Sequence, residues 1–456
     1  MNHNSLDRRQ LLKLLLTAAP QTSVGFASLA AMGNLAAQTS TDTRFLVCLY
    51  MRGGNDQSNL IVPTSTAEYN AYKSARSAIS LASSATIGLS PDSFTGPTLG
   101  MHPSMKVVSR LFNAGNAALI ANVGNLVAPL TKSQWNNGST TAAIPTQLFS
   151  HNDQENQWST ASPSVPGKTG WLGRVADLIT DTYNTASPVS MNICLGRQNF
   201  VLGGARVAPY QAVPTGGVAL LRTNDLTGLQ GSSTATAALK GLYNTPRTNL
   251  LEKQVSTVFN RSMAAYDRLV TTVQTGTGTG YPATSLGQQL SGVARIMSAA
   301  SALGQRRMVF YVDIEGFDFH ANILQDQAKR LTDVDNALTV FETFLKTTGH
   351  WDRTVVFSAS DFGRALQTNG KGSDHGWGNH HFAFGGPVKG KKIYGQFPTV
   401  ALGGPEDAGQ GRLIPTTSFD QYAATLAKWF GVSPTDMSTV VPNIGNFSNA
   451  NLGFLV

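Results

Sequence analysis

Only two cysteines, Cys48 and Cys194, occur in 456 residues, and both sit inside apolar runs. Two cannot build a disulfide framework, so the fold must rest on an ordinary hydrophobic core, and two buried thiols are the expected state. Charged residues are scarce, at 13 %. The formal net charge of +8 is spread thinly along the chain, and without a cluster of Lys and Arg there is no footprint for nucleic acid. A mild positive balance fits anionic substrates and ordinary surface solubility equally well. Long apolar runs are missing too. Behind the N-terminal segment, Gly, Ser, Thr or a charge interrupts every window before the roughly 18 apolar residues of a spanning helix are reached. No integral membrane segment is therefore expected in the mature chain, and no internal repeat is evident.

The N-terminus carries a recognisable order of parts. Asp7-Arg8-Arg9-Gln10-Leu11-Leu12-Lys13 is followed by a weakly apolar stretch from Leu14 to Ala31 and a small-residue exit at Leu35-Ala36-Ala37. A charged start, an apolar middle and a small-residue cleavage site make a signal peptide. Paired arginines directly before Leu-Leu-Lys give it the twin-arginine form. This reading makes residues 1–37 a signal, the twin-arginine translocase a partner during export, and the periplasm or the exterior the destination. Residues 38–456 are then one domain, of a length usual for a large α/β core with insertions.

Arg44–Met51 is a continuous apolar run rich in β-formers that ends in Arg52-Gly53-Gly54-Asn55-Asp56, the pattern of a buried parallel strand opening into a loop. Further buried strands are expected at Ala117–Val123, Val189–Leu195, Met308–Val312, Thr354–Ser358 and His381–Phe384. Helical periodicity falls between them, near Pro103–Asn113, Trp171–Ile179, Leu286–Leu303, Gln325–Thr347 and Phe419–Phe430. Strands alternating with helices imply an α/β fold with a mostly parallel central sheet flanked by helices on both faces. Residues 125–170 lack periodicity and read as a long functional loop. Residues 196–285 read as an insertion, a cap region, with a Gly/Thr hinge at Thr275–Gly280.

The residues able to hold metal follow strand ends. Asp56 follows the first strand, Asp318 and His320 follow Met308–Val312, Asp361 follows Thr354–Ser358, and Asp374 and His375 lie in the next loop. Ligands of an open parallel sheet bind outside the carboxyl ends of its strands, so these residues can converge across more than 300 positions. Carboxylates with neutral imidazoles suit zinc, manganese or a related divalent cation. Each residue also has a plainer role available, because an Asp or His beside glycine is commonly a turn or cap residue. His380 and His381 read as strand-edge packing, Asp153 and Glu155 as loop surface, and Arg174 as scaffold. Arg364 is open between gripping an anion and bracing Asp361.

Arg52-Gly53-Gly54-Asn55-Asp56 with Asn59 and Pro63, His102-Pro103, Ser150-His151, Gly170-Trp171-Leu172-Gly173-Arg174, Gly316-Phe317-Asp318-Phe319-His320, Ser360-Asp361-Phe362-Gly363-Arg364 and Asp374-His375-Gly376 together resemble the family known as domain of unknown function 1501. That family is similar to the alkaline phosphatase and sulfatase superfamily. The resemblance implies an alkaline phosphatase-like fold and one or two divalent ions, zinc, manganese or calcium. Asp56, Asp318, His320, Asp361 and His375 would be ligands, and His151 would serve the second ion or the substrate. Two departures stand out. Phe362, which cannot coordinate, follows Asp361 where the superfamily has histidine, and Asp318-Phe319-His320 is a compressed spacing that needs an extended loop to bring both side chains to one side. The nucleophile of the superfamily maps near Gly100-Met101-His102-Pro103-Ser104, with His102 and Ser104 as candidates. The resulting expectation is an exported hydrolase or transferase acting on phosphate or sulfate esters. The alternative is a degenerate relative serving as a periplasmic binding or assembly component.

Overall fold

The alternation of side chains along the first strand sets the layers of the fold. Phe45, Val47, Leu49 and Met51 belong to one buried apolar cluster, whereas Leu46, Cys48 and Tyr50 belong to another. A strand whose two faces are both buried must lie inside a sheet covered on both sides. Helices Lys106–Asn113, Ser285–Ser298 and Ile323–Thr347 supply the first cluster, and helices Trp171–Tyr183 and Phe419–Phe430 the second. The computed structural model describes residues 42–138, 144–185, 187–212, 232–273 and 278–456. The expected signal at 1–37, half of the expected hinge and part of the 196–285 segment lie outside them.

Among the described residues a nine-stranded sheet runs in the order Ile393–Tyr394, Ala117–Gly124, Asn379–Phe384, Thr354–Ser360, Arg44–Met51, Arg307–Ile314, Asn192–Cys194, Tyr210–Gln211, with Thr417–Ser418 also pairing Ala117–Gly124. All pairings are parallel except those of Asn379–Phe384, which runs antiparallel to both neighbours. The fold is thus α/β with a mostly parallel sheet, as the alternation of strand and helix patterns predicted. Cys48 and Cys194 are buried and unpaired.

One difference from the sequence reading matters. Residues 125–170 are not one loop, since they contain helices Lys132–Asn137 and His151–Thr160. The second is built from His, Asn, Asp, Gln, Glu, Ser and Thr around one tryptophan, so no apolar period announces it. In the 196–285 segment, helices Ser233–Asn244 and Leu250–Thr272 stack through Tyr243 and Phe259, with ring centroids 3.6 Å apart. The longer helix joins the core through Ala265 and Leu269. No helix among the described residues is long and apolar enough to cross a membrane.

Candidate metal centre

Parallel register brings three chain segments out of the sheet side by side. Met51 pairs with Ile314 on one side and with Ser360 on the other, so the loops beginning at Arg52, Glu315 and Asp361 leave from one edge. The first loop is pressed against the other two. A Cβ on Gly53 would lie 2.5 Å from the Asp318 nitrogen, and one on Gly54 would lie 2.3 Å from the Phe362 ring, with φ at +109° and +83°. Glycine is required at both places for contact and for backbone conformation.

Four side chains converge in front of these loops. Asp318 is central. Its Oδ1 lies 3.0 Å from His320 Nε2 and 3.3 Å from His375 Nε2, and its Oδ2 lies 3.4 Å from His151 Nε2. His320 Nε2 and His375 Nε2 are 3.0 Å apart. Residues 315–319 are irregular backbone, which puts Asp318 and His320 on the same side. His375 ends the short hairpin of Arg364–Thr368 and Ser373–His375, and His151 is the first residue of its helix.

Hydrogen bonds at the far side of two rings set their tautomers. His151 Nδ1 is 2.8 Å from Asp361 Oδ2, and His375 Nδ1 is 2.8 Å from the Phe149 carbonyl. A carboxylate and a carbonyl only accept, so both Nδ1 atoms donate, and in the neutral rings each Nε2 is left with a lone pair available to a cation. His151 Nε2 is buried and makes no hydrogen bond. His151, Asp318 and His375 offer ligand atoms within 4.8 Å of one another. Metal-binding histidines characteristically donate the second ring N–H to a carboxylate or carbonyl, the arrangement found at both rings. These residues fit a divalent cation.

Titration follows the same geometry. The hydrogen bond to Asp361 raises His151 against the opposing effect of burial. Burial lowers His375, keeping its lone pair available. Burial alone would raise Asp318, but the hydrogen bond and charge of Arg364 hold it below the usual carboxylate range. Asp318 is therefore an anion, braced by Arg364 on one side and facing the imidazole nitrogens on the other, where a cation would find a carboxylate and ring nitrogens together.

The expected site residues do not all gather here. Asp56 is displaced from the cluster: its fully buried carboxylate pairs with the equally buried Arg76 and accepts from Ser58 N at 3.2 Å as the cap of a short helix. Burial raises it despite Arg76. Asp361 reaches the cluster through His151 and also accepts from Gly53 N at 3.2 Å. Asp374 belongs to a second possible group with His320 and His375, but its carboxylate is held by Arg412 at 2.8 Å and caps His375 N. Arg364, open in the sequence between gripping an anion and bracing Asp361, is turned inward and braces Asp318 instead. Its guanidinium is fully buried and donates to Ser373 O, Gly53 O and Asp318 Oδ1, the last two at 3.1 and 3.0 Å. His102 and Ser104 bond to each other, Ser104 N donating to His102 Nδ1 at 3.1 Å, and burial lowers His102 to about 4. The Ser104 hydroxyl meets Thr332, and neither residue hydrogen-bonds to the cluster.

Several neighbours of the cluster had no part in it assigned from the sequence. Phe362 lies beside two of the converging imidazoles, its ring 4.8 Å from both His151 and His375. Phe149 holds a left-handed backbone at φ 68° while its carbonyl accepts from His375, a strain of the kind stored at functional sites. Arg412 lies over the Phe149 ring and donates to His375 O at 2.9 Å. Glu155, expected as loop surface, pairs with Arg52 at 2.6 Å. Arg174 is the scaffold residue expected, donating to Thr160 O and Val440 O.

Solved structures similar to this chain include the PsFucS1 sulfatase from Pseudoalteromonas sp., at 10 % identity and TM-score 0.33 over 91 % of this chain and 72 % of that one. The phosphonate monoester hydrolase of Agrobacterium radiobacter follows at 10 % and 0.35 over 85 % and 74 %. The lipoteichoic acid synthase LtaP from Listeria monocytogenes gives 8 % and 0.34 over 86 % and 73 %. No curated protein matches the chain. The model of the protein family of unknown function DUF1501 matches residues 43–409, and the chain belongs to that family.

Proposed function

We propose that this protein is a metal-dependent hydrolase or transferase of phosphate or sulfate esters, exported through the twin-arginine route, with His151, Asp318 and His375 holding the ion and His320 as a further donor on the open side. The observation that carries the proposal is the convergence of the His151 and His375 Nε2 atoms on one carboxylate, with both opposite Nδ1 atoms hydrogen-bonded to oxygen acceptors. Three imidazoles around one carboxylate favour zinc or manganese over calcium, which prefers oxygen. A cation held there would supply Lewis-acid stabilisation of charge developing on the ester oxygens. Asp318 and His320 expose 44 % and 48 % of their side chains, leaving an open face for an anionic ester. Where His320 does not coordinate, its Nε2, 3.0 Å from Asp318 Oδ1, can instead carry a proton at the open face. Among the described residues no hydroxyl or thiol hydrogen-bonds to the four side chains, and this reading takes water as the attacking group.

A second reading, a binding or assembly component of the envelope that has lost catalysis, is favoured by the neutralised Asp56 and by Phe362, which remove two donors. One experiment separates the readings. Protein purified without chelator is expected to carry near-stoichiometric zinc or manganese, and the Asp318→Ala and His375→Ala variants to carry little. A wild type that neither carries nor takes up either metal would sink the metal reading. The metal-loaded protein is then assayed on nitrophenyl phosphate, phosphodiester and sulfate. Turnover that disappears in Asp318→Ala supports the hydrolase, and metal without turnover supports the binding role.

A further inference from the structure

The helix that delivers His151 has little apolar footing. Its buried residues are Gln154, Gln157, Trp158, Ser159 and Thr160, so the one large hydrophobic anchor lies toward its C-terminal end. His151 is at the opposite end, where Ser150 makes no side-chain cap bond to the backbone and instead donates to Asp153 Oδ2 at 2.6 Å. A first turn so placed would fray without another restraint. Glu155, one turn beyond His151 and on the same helix face, adds such a restraint to those that His151 makes with Asp361 and Gln154 makes with Phe149 N and Gly376 O. Its Oε1 accepts from Arg52 at 2.6 Å and from Asn199 Nδ2 at 3.0 Å.

Arg52 is itself immobilised. Its Nε donates to Asp313 Oδ2 at 2.7 Å, and its remaining nitrogen donates to the Tyr311 hydroxyl at 3.0 Å. The guanidinium also lies 5.2 Å from the centre of the Tyr50 ring. The Arg52 backbone has a second task, because its carbonyl accepts from Phe317 N at 2.9 Å, directly before Asp318. One residue at the end of the first strand thus fixes both the helix that carries His151 and the loop that carries Asp318. These two ligands lie 3.4 Å apart but come from different parts of the chain.

We infer that Glu155 is a positioning residue for the metal centre, acting through Arg52 to hold His151 in register with Asp318. This inference rests on the metal-centre reading above for its affinity consequence, whereas its effect on the helix stands without metal. Loss of a supporting partner around a metal ligand typically weakens binding by about 10- to 100-fold, and Ala is a good helix former in place of a partly exposed Glu.

The test uses the full chain and zinc chloride. Glu155→Ala is expected to weaken zinc binding by about tenfold or more, with Glu155→Gln, which keeps an oxygen acceptor for Arg52, recovering part of the loss. In a His151→Ala background the same substitution should cost no further affinity, the signature of an effect transmitted through His151. Amide exchange in metal-free protein is expected to quicken over residues 151–156 in Glu155→Ala. Unchanged affinity and unchanged exchange would overturn the inference, as would an equal affinity loss in both backgrounds. A wild type that binds no zinc while exchange still quickens in Glu155→Ala would overturn the metal reading and keep the positioning role. Should Glu155→Ala fail to fold, Asn199→Ala, which removes one donor to Glu155, is measured for the same two changes at smaller size.

Discussion

A side chain's partner decides what it can do more than its type does. Asp56 and Asp318 are both carboxylates just past strand ends. One faces Arg76 inside the protein and makes a closed ion pair, and the other, though braced by buried Arg364, also faces three imidazoles at an open rim. Removing one member of a buried ion pair leaves an uncompensated charge, at a cost of about 3–5 kcal/mol. Arg76→Met is therefore expected to destabilise the fold by that amount in denaturant titration while leaving zinc affinity within a factor of two or so of wild type. A large loss of zinc at unchanged stability would return Asp56 to the ligand set. Phe362 makes the complementary point. A ring that cannot coordinate still contributes by packing against two rings that can, fixing their planes without adding a donor.

Elements with a strong apolar period were legible, and those held by polar contacts were not. Helix Phe419–Phe430 lies where its periodicity predicted, and the buried strands agree within a few residues. Helix His151–Thr160 was read as loop because its polar side chains find partners only in the folded protein: Gln154 with Phe149 N and Gly376 O, and Glu155 with Arg52. The Arg364–His375 hairpin is another element whose function depends on close approach. Ser373 N donates to Phe319 O at 3.1 Å, and a Cβ on Gly372 would lie 2.3 Å from the His320 carbonyl carbon and from Phe319 O. Backbone on both sides cannot give way as a flexible side chain would. Gly372→Ala is thus expected to push the Asp318–His320 loop away from His375 and to weaken zinc binding by about tenfold or more, measured by competition with a chromogenic chelator. Unaltered affinity would mean that the loop and hairpin move together.

At the scale of the whole molecule, one buried acid makes global stability depend on pH. Asp420, in the first turn of the last long helix, is pushed up to about 7 by burial, against the opposing Asn443 N–H and the charge of Arg174. A carboxyl raised above its unfolded value of about 3.9 contributes stability that is fully present below that value and lost as pH rises through the folded one. Between pH 4 and 7 this group therefore removes stability as pH climbs. Asp420→Asn is expected to be more stable than wild type at pH 8 and nearly equal to it at pH 4 in guanidinium titrations. A difference independent of pH would show that Asp420 does not titrate in this range.

The amino-acid sequence by itself determined the α/β class, the sheet-forming segments and the rule that metal-capable residues follow strand ends, because apolar alternation and turn chemistry are local properties of the chain. It also carried the motifs of the family. Only the tertiary structure decided which residues meet. Parallel register set Arg52, Glu315 and Asp361 at one edge, Arg76 claimed Asp56, and an unannounced polar helix carried His151 to Asp318. These outcomes depend on contacts between positions tens to hundreds of residues apart, and such contacts exist only once the sheet and both of its covering layers are in place.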